Sequence, residues 1–131
     1  MSPTAGYSGT PLPKKLGIKD DSRLLVLGGP QGLGLPDLPS GPPNDVVLSF
    51  HTARADLERA VPTLIAALDV DGGLWICWPK KASKVPTDIT EDTVREVFLP
   101  LGLVDNKVCA IDDLWSGLRV VWRKELRARR R

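Results

Sequence analysis

Lys80 and Lys81 end an apolar run, and Ser83 follows them in "WPKKAS". Adjacent ammonium groups with a hydroxyl close behind are donors suited to an anion, and a helix start near Asp88 would turn its positive end to the same place. The competing use of such a pair is to keep the end of a buried strand in water. His51 is the chain's one histidine. It cannot join a second imidazole in a zinc or facial-triad cluster, and stands either as a general base or as a hydrogen-bonded bystander. "GGPQGLG", residues 28 to 34, offers Gly28, Gly29 and Gly32 for close approach of backbone to a ligand and amide N–H groups for a phosphate or carboxylate. It departs from GxGxxG, because Pro30 stands at the second glycine, and from the P-loop, because no GK[ST] follows. Trp115 and Ser116 fall in "DDLWSG", read as a turn, where an indole either covers a crevice mouth or folds back on Trp78. There is no GxSxG elbow, and "DVDGG" lacks the later acidic ligands of a calcium loop.

These residues need a scaffold, and the apolar pattern supplies one. Arg23–Leu27, "DVVLSF" (45 to 50) and "LWICWP" (74 to 79) are runs without alternation, the pattern of strands covered on both faces in a parallel sheet. Residues 30 to 45 are rich in proline and glycine, which excludes a long helix and predicts loop with at most one helical turn. From Thr52, a candidate N-cap, Leu57, Ala60, Val61, Leu64, Ile65 and Leu68 form a helical stripe interrupted by Pro62 and ended by "DVDGG". A second helix is capped by Asp88 or Thr90, with Glu91 and Asp92 in its first turn and Val94, Val97, Phe98 and Leu101 as its stripe. "LVDNKVCAI" and "GLRVVWR" then read as a hairpin.

Strand, loop, strand, helix, strand, helix, strand, strand is the order of an α/β sheet with right-handed crossovers, finished by an antiparallel pair. In such sheets ligands bind beyond the carboxyl ends of the strands, where the glycines, His51, Lys80 to Ser83 and the hairpin turn all fall. The expected organisation is an irregular arm over 1–13, containing Tyr7, a single domain over 14–124 and a basic tail over 125–131.

The totals exclude more than they assign. The chain has 131 residues and a formal net charge of +2, from 18 basic and 16 acidic residues, so no global field points to nucleic acid or to an anionic membrane. The run "RARRR" is short, and no aromatics interleave with it as in single-strand binders, so nucleic acid is not expected as a partner. No stretch is long and apolar enough to span a bilayer, the N-terminus lacks the core of a signal peptide, and a cytoplasmic location is expected. Cys77 and Cys109 sit in apolar runs without CxxC spacing and read as reduced, buried thiols.

"LGIKDDSRLLVLGG", "LIAALDVDGGLWICW" and the closing hairpin resemble the methyltransferase variant of the Rossmann fold: its lead-in and first strand, its helix, turn and next strand, and its sixth and seventh strands. The resemblance implies a trimmed, mostly parallel sheet of about five strands with a C-terminal antiparallel hairpin. "AGYSGTPLPKKLGI", "WPKKAS", "TDITEDTVREV", "GLVDNKVCAID" and "WSGLR" together resemble one small bacterial family, a domain of unknown function, over nearly the whole chain; the proline-rich stretch after Gly34 is shortened. That family implies the fold and no activity. A methyltransferase normally anchors the ribose of S-adenosylmethionine with a carboxylate after the next strand and carries an acid near the first glycine loop. This loop has none, and only Asp37 and Asp45 lie nearby, which argues against that cofactor. The leading expectation is a non-catalytic module for a small anionic ligand or a protein partner, with Lys80, Lys81, Ser83, His51, Trp115, Ser116, Gly28, Gly29 and Gly32 around the crevice. The alternatives are a divergent methyltransferase or other enzyme, and a homodimer or scaffold.

Overall fold

The structure, a computed structural model, describes residues 10–131; Tyr7 and most of the expected arm lie outside the described residues. Five strands form one mixed sheet in the order β1 (Leu24–Leu27), β2 (Asn44–Phe50), β3 (Leu68–Pro79), β5 (Trp115–Trp122), β4 (Leu103–Ala110). β1, β2 and β3 run parallel, β5 is antiparallel to β3, and β4 is antiparallel to β5. This is the trimmed, methyltransferase-like α/β sheet expected of the sequence, with its closing hairpin.

Because side chains alternate across a sheet, the apolar runs feed two cores. On one face Val47, Leu74, Ile76, Trp78, Leu118, Val120 and Trp122 pack under α2 (Arg54–Ala67) and α3 (Glu91–Phe98) through Leu57, Leu64, Val94 and Phe98. On the other, Val46, Leu48, Phe50, Trp75 and Cys77 pack under α1 (Leu12–Lys15) and the β1–β2 loop through Leu12, Leu16, Leu33, Leu35 and Leu38. Residues 30–43 hold neither helix nor strand, so this crossover covers its face with loop leucines where β2–β3 uses a helix.

The elements depart from the sequence pattern in several places: α1 starts at Leu12, inside the stretch expected to be an irregular arm, and Leu101, expected on the α3 stripe, lies past the end of that helix and is exposed. β1 is the sheet's edge, with Val26 37% exposed, because no further strand covers it. α2 begins at Arg54, and its cap is not Thr52: Ala53 occupies the N-cap, and the Arg54 N–H donates to Asp88 Oδ1 at 2.7 Å. Thr90 caps α3 by itself, exchanging hydrogen bonds with Thr93, which releases Asp88 to serve the other helix. "DVDGG" does not sit between helix and strand as a separate turn but forms a bulge within β3, where the register passes from Asn44↔Leu68 to Val46↔Gly73. A Cβ on Gly72 would stand 2.8 Å from Asp45 O and 2.9 Å from Asn44 O, so the bulge closes there only around glycine. Trp115 and Ser116 belong to β5 rather than to the turn, and the tail is helical as α4 (Lys124–Arg130). Arg130 stacks over the Trp122 ring at 3.9 Å, Arg131 pairs with Asp71, and Leu126 reaches the α2–α3 core, which fastens a run otherwise expected to be solvated.

Candidate functional site

The C-terminal ends of β1, β2 and β3 bring Gly28, His51 and Lys80 to one edge of the sheet, and β5 enters beside them, with Ser116 opposite Trp78 and Trp115 opposite Pro79. The side chains then diverge to three environments.

The first is a groove of about 740 Å³ between the end of β3 and the start of α3. Trp78, Pro79, Val85, Pro86 and Ile89 supply its apolar floor, and Ser116 also lines it. Lys80, Lys81 and Lys84 form one lip. Local physics fixes that lip: Lys80 N–H donates to Leu114 O at 2.7 Å, tying it to the hairpin turn, and the chain then coils into the 3₁₀ turn Lys81–Ser83. Ser83 is used up in that turn, donating its hydroxyl to Lys80 O at 2.6 Å and accepting the Val85 N–H at 3.2 Å. Lys84 ends the turn at φ 61°, the one non-glycine residue with positive φ among those described, a conformation a long side chain adopts only at a cost of about 1–2 kcal/mol. Among the described residues none of the three lysines is ion-paired. The opposite lip carries Glu91, Asp92 and Arg95, where Arg95 bridges Glu91 at 2.9 Å, Asp92 at 3.0 Å and Asp105 at 3.1 Å. The groove is therefore dipolar, positive along 80–84 and negative at the head of α3. The expected contribution of the α3 N-terminus to anion binding is offset by its own capping box and acids.

The second environment surrounds His51, which is 6% exposed. Ser49 Oγ lies 2.6 Å from its Nε2, and Asp56 Oδ2 lies 2.7 Å from its Nδ1. Strand alternation puts Ser49 and His51 on one face, and the first turn of α2 swings Asp56 over them. A hydroxyl, an imidazole and a carboxylate in series is the order of a nucleophilic relay. Ser49, however, is 1% exposed in the middle of the sheet while the carboxylate faces solvent, so the accessibilities are the reverse of what acyl transfer needs. The trio instead ties β2 to α2. His51→Ala leaves the buried Ser49 hydroxyl without its partner and is expected to cost about 1–3 kcal/mol in urea unfolding, whereas Asp56→Asn, on the exposed side, should cost under about 1 kcal/mol.

The third environment is the glycine loop. Gly28 and Gly29 adopt φ 71° and 88°, and the Phe50 ring packs directly on Gly29. Trp115 meets Phe50 edge to face, with ring centroids 5.0 Å apart, and so joins the second core rather than folding onto Trp78. Gly32 has open space around it. The Phe50 ring thus takes up the room beside the first glycine loop, where a Rossmann sheet receives a cofactor. Of the residues singled out in the sequence, the groove unites Lys80, Lys81 and Ser116; Ser83, His51, Trp115, Gly28, Gly29 and Gly32 stand outside it. Sequence reasoning missed Lys84, whose role depends on the 3₁₀ turn, and Ser49 and Asp56, for which the spacing S-x-H-x₄-D from strand into helix was the available signal.

Among the described residues no cluster of three metal-ligating side chains occurs, and no helix is long and apolar enough to cross a membrane. By sequence the chain matches no family model and no curated protein. By structure it is similar to the Methanococcus jannaschii fibrillarin pre-rRNA processing protein, with a TM-score of 0.56 and 14% identity over 89% of this chain and 70% of that one. At that identity the likeness shows the fold alone, a methyltransferase-like Rossmann sheet.

Proposed function

We propose that the chain binds a small anionic ligand, without catalysing a reaction, in the groove between β3 and α3. The observation that carries this reading is the convergence of Lys80, Lys81 and Lys84, none of them ion-paired among the described residues, on one lip of a groove with an apolar floor. Its volume of about 740 Å³ falls in the range of small-molecule sites, roughly 300–1,000 Å³. The ligand that fits is a carboxylate or phosphate on the lysine lip, with an apolar body lying along Trp78, Val85 and Ile89. The acidic lip disfavours a second anionic group at the far end. We further propose that this site is shared with the small bacterial family that the chain resembles, because four residues of the "WPKKAS" on which the resemblance partly rests, Trp78, Pro79, Lys80 and Lys81, line it.

A second reading, a divergent S-adenosylmethionine-dependent methyltransferase, draws support from the shared fold. Against it stand the Phe50–Gly29 contact and the lack of a ribose acid: Asp45 accepts the Arg23 N–H at 2.8 Å, and Asp37 lies in the proline loop.

Thermal shift separates the two. A ligand at about 100 times its dissociation constant adds roughly 2.7 kcal/mol to stability. Apolar carboxylates and sugar or nucleoside phosphates are expected to raise the melting temperature of the wild type and to leave Lys80→Ala/Lys81→Ala unmoved. A shift by S-adenosylmethionine or S-adenosylhomocysteine that survives in the double variant would instead support the enzyme, and a screen in which no anion acts would refute the groove as a site.

A further inference from the structure

The face of the sheet opposite α2 and α3 carries a second basic surface. Lys107 of β4 and Arg119 of β5 stand directly opposite in the register, so their side chains rise together from one face, where like charges repel. Arg119 is half-buried, with its guanidinium lying across Gly73 of β3. Burial lowers its pKa, and the nearby charge of Arg127 adds to the fall. Among the described residues no carboxylate pairs with Lys14, Lys107, Arg119 or Arg127. Three nearby acids are engaged elsewhere, Asp105 on Arg95, Asp71 on Arg131 and Asp45 on a backbone N–H, which leaves the exposed Glu125 of α4 as an acid beside the cations. Folding alone does not reward this arrangement, because burying an unpaired guanidinium costs free energy that an apolar residue at 119 would not.

The surface continues in both directions. Lys107 Nζ donates to Lys15 O at 3.0 Å, bringing the end of α1 and Lys14 alongside. At the other end Arg127, whose charge is felt at Arg119, extends the surface with its Nε donating to Trp122 O at 2.9 Å, while the rest of α4 packs through Leu126 toward the α2–α3 core. Cations from four elements thus form a row rather than a single pocket. The aromatics of this face offer no open stacking platform for unpaired bases: Trp75 is buried, and Trp115 is held edge to face against Phe50. Nor does it have an apolar anchor for a membrane. Of the exposed large hydrophobics, Leu99 and Leu101 follow α3, Val108 pairs with Leu118 of the α2–α3 core, and Val26 lies on the far edge strand.

We propose that this face binds the phosphate backbone of a nucleic-acid duplex without reading its sequence. Phosphate contacts of this kind hold a protein on a duplex by charge, and they carry no base information. The terminal run alone had not suggested nucleic acid; the row exists because the fold gathers Lys107, Arg119 and Arg127 from separate elements.

The test is fluorescence anisotropy with a labelled 20-base-pair duplex of arbitrary sequence, a single strand of the same length, and co-sedimentation with phosphatidylserine vesicles. About four phosphate contacts predict duplex affinity falling roughly 100-fold between 50 and 200 mM salt, indifferent to sequence. In Lys107→Gln/Arg119→Gln the slope of log affinity against log salt should shrink by about 2, while the melting temperature stays at or above that of the wild type, which shows the variant is folded. The proposal is overturned by no duplex binding at 50 mM salt, by preference for the single strand or binding to vesicles alone, or by duplex binding that Lys80→Ala/Lys81→Ala loses and Lys107→Gln/Arg119→Gln keeps.

Discussion

Trp75→Ala is expected to be the most damaging single substitution in the chain, costing about 3–5 kcal/mol of unfolding free energy. Trp75 sits at the centre of the sheet between β2 and β5 and is fully buried. Its ring supports the face that α1 and the β1–β2 loop cover, and a Cβ on Gly117 would stand 3.2 Å from it, so the opposing strand is moulded to the indole. Its Nε1 donates to Leu16 O at 3.2 Å, the one bond through which the buried tryptophan holds the α1 segment by a polar group. Trp75→Phe separates the two contributions. Phenylalanine keeps most of the apolar area but deprives Leu16 O of its donor, and the expected cost is about 1–3 kcal/mol. Equilibrium denaturation in urea measures both. Equal losses in the two variants would mean that the hydrogen bond, rather than the packing, anchors α1.

The contrast between what the sequence carried and what it hid follows from the range of the interactions. Strands and helices were legible because their signals are local: β-branched and aromatic runs for β2 and β3, the i, i+3, i+4 stripe for α2, and Thr90 with Thr93 for the start of α3. Lys80 and Lys81 could be put at a ligand-facing edge because a parallel sheet fixes which ends of its strands face the crevice. What was hidden depends on partners distant in the chain. Asp88 caps a helix 34 residues upstream, and no window around Thr52 contains that information. Trp115 reads as a turn residue until Pro79 pairs with it and Phe50 receives its ring. The tail reads as solvated because its anchor, Trp122, is already spoken for as a core strand residue. The row of Lys107, Arg119 and Arg127 is legible only once the hairpin register is known.

The second large effect lies at the glycine loop, and it bears on the fate of the cofactor crevice. Gly29→Ala is expected to cost about 2–5 kcal/mol, combining a left-handed backbone that L residues resist with overpacking against a ring. Gly29 sits at φ 88°, and a Cβ there would lie 2.5 Å from Phe50 Cδ1 and 2.7 Å from Cε1. The ring has nowhere to retreat, because Phe50 is 8% exposed and Trp115 closes its other side. The two contributions separate in a double-mutant cycle. Phe50→Leu removes the ring edge but leaves φ unchanged, so Gly29→Ala should cost about 1–2 kcal/mol in that background, the backbone share alone. A cost as large as in the wild type would mean that backbone strain dominates and that the ring merely rests on the loop. If the coupling is present, Gly29 and Phe50 act as one unit in which glycine makes room for a side chain. The same pair of glycines would then serve packing at the position where a Rossmann sheet otherwise receives a cofactor, and Phe50→Ala, which empties that space, becomes the variant in which S-adenosylmethionine binding should be sought.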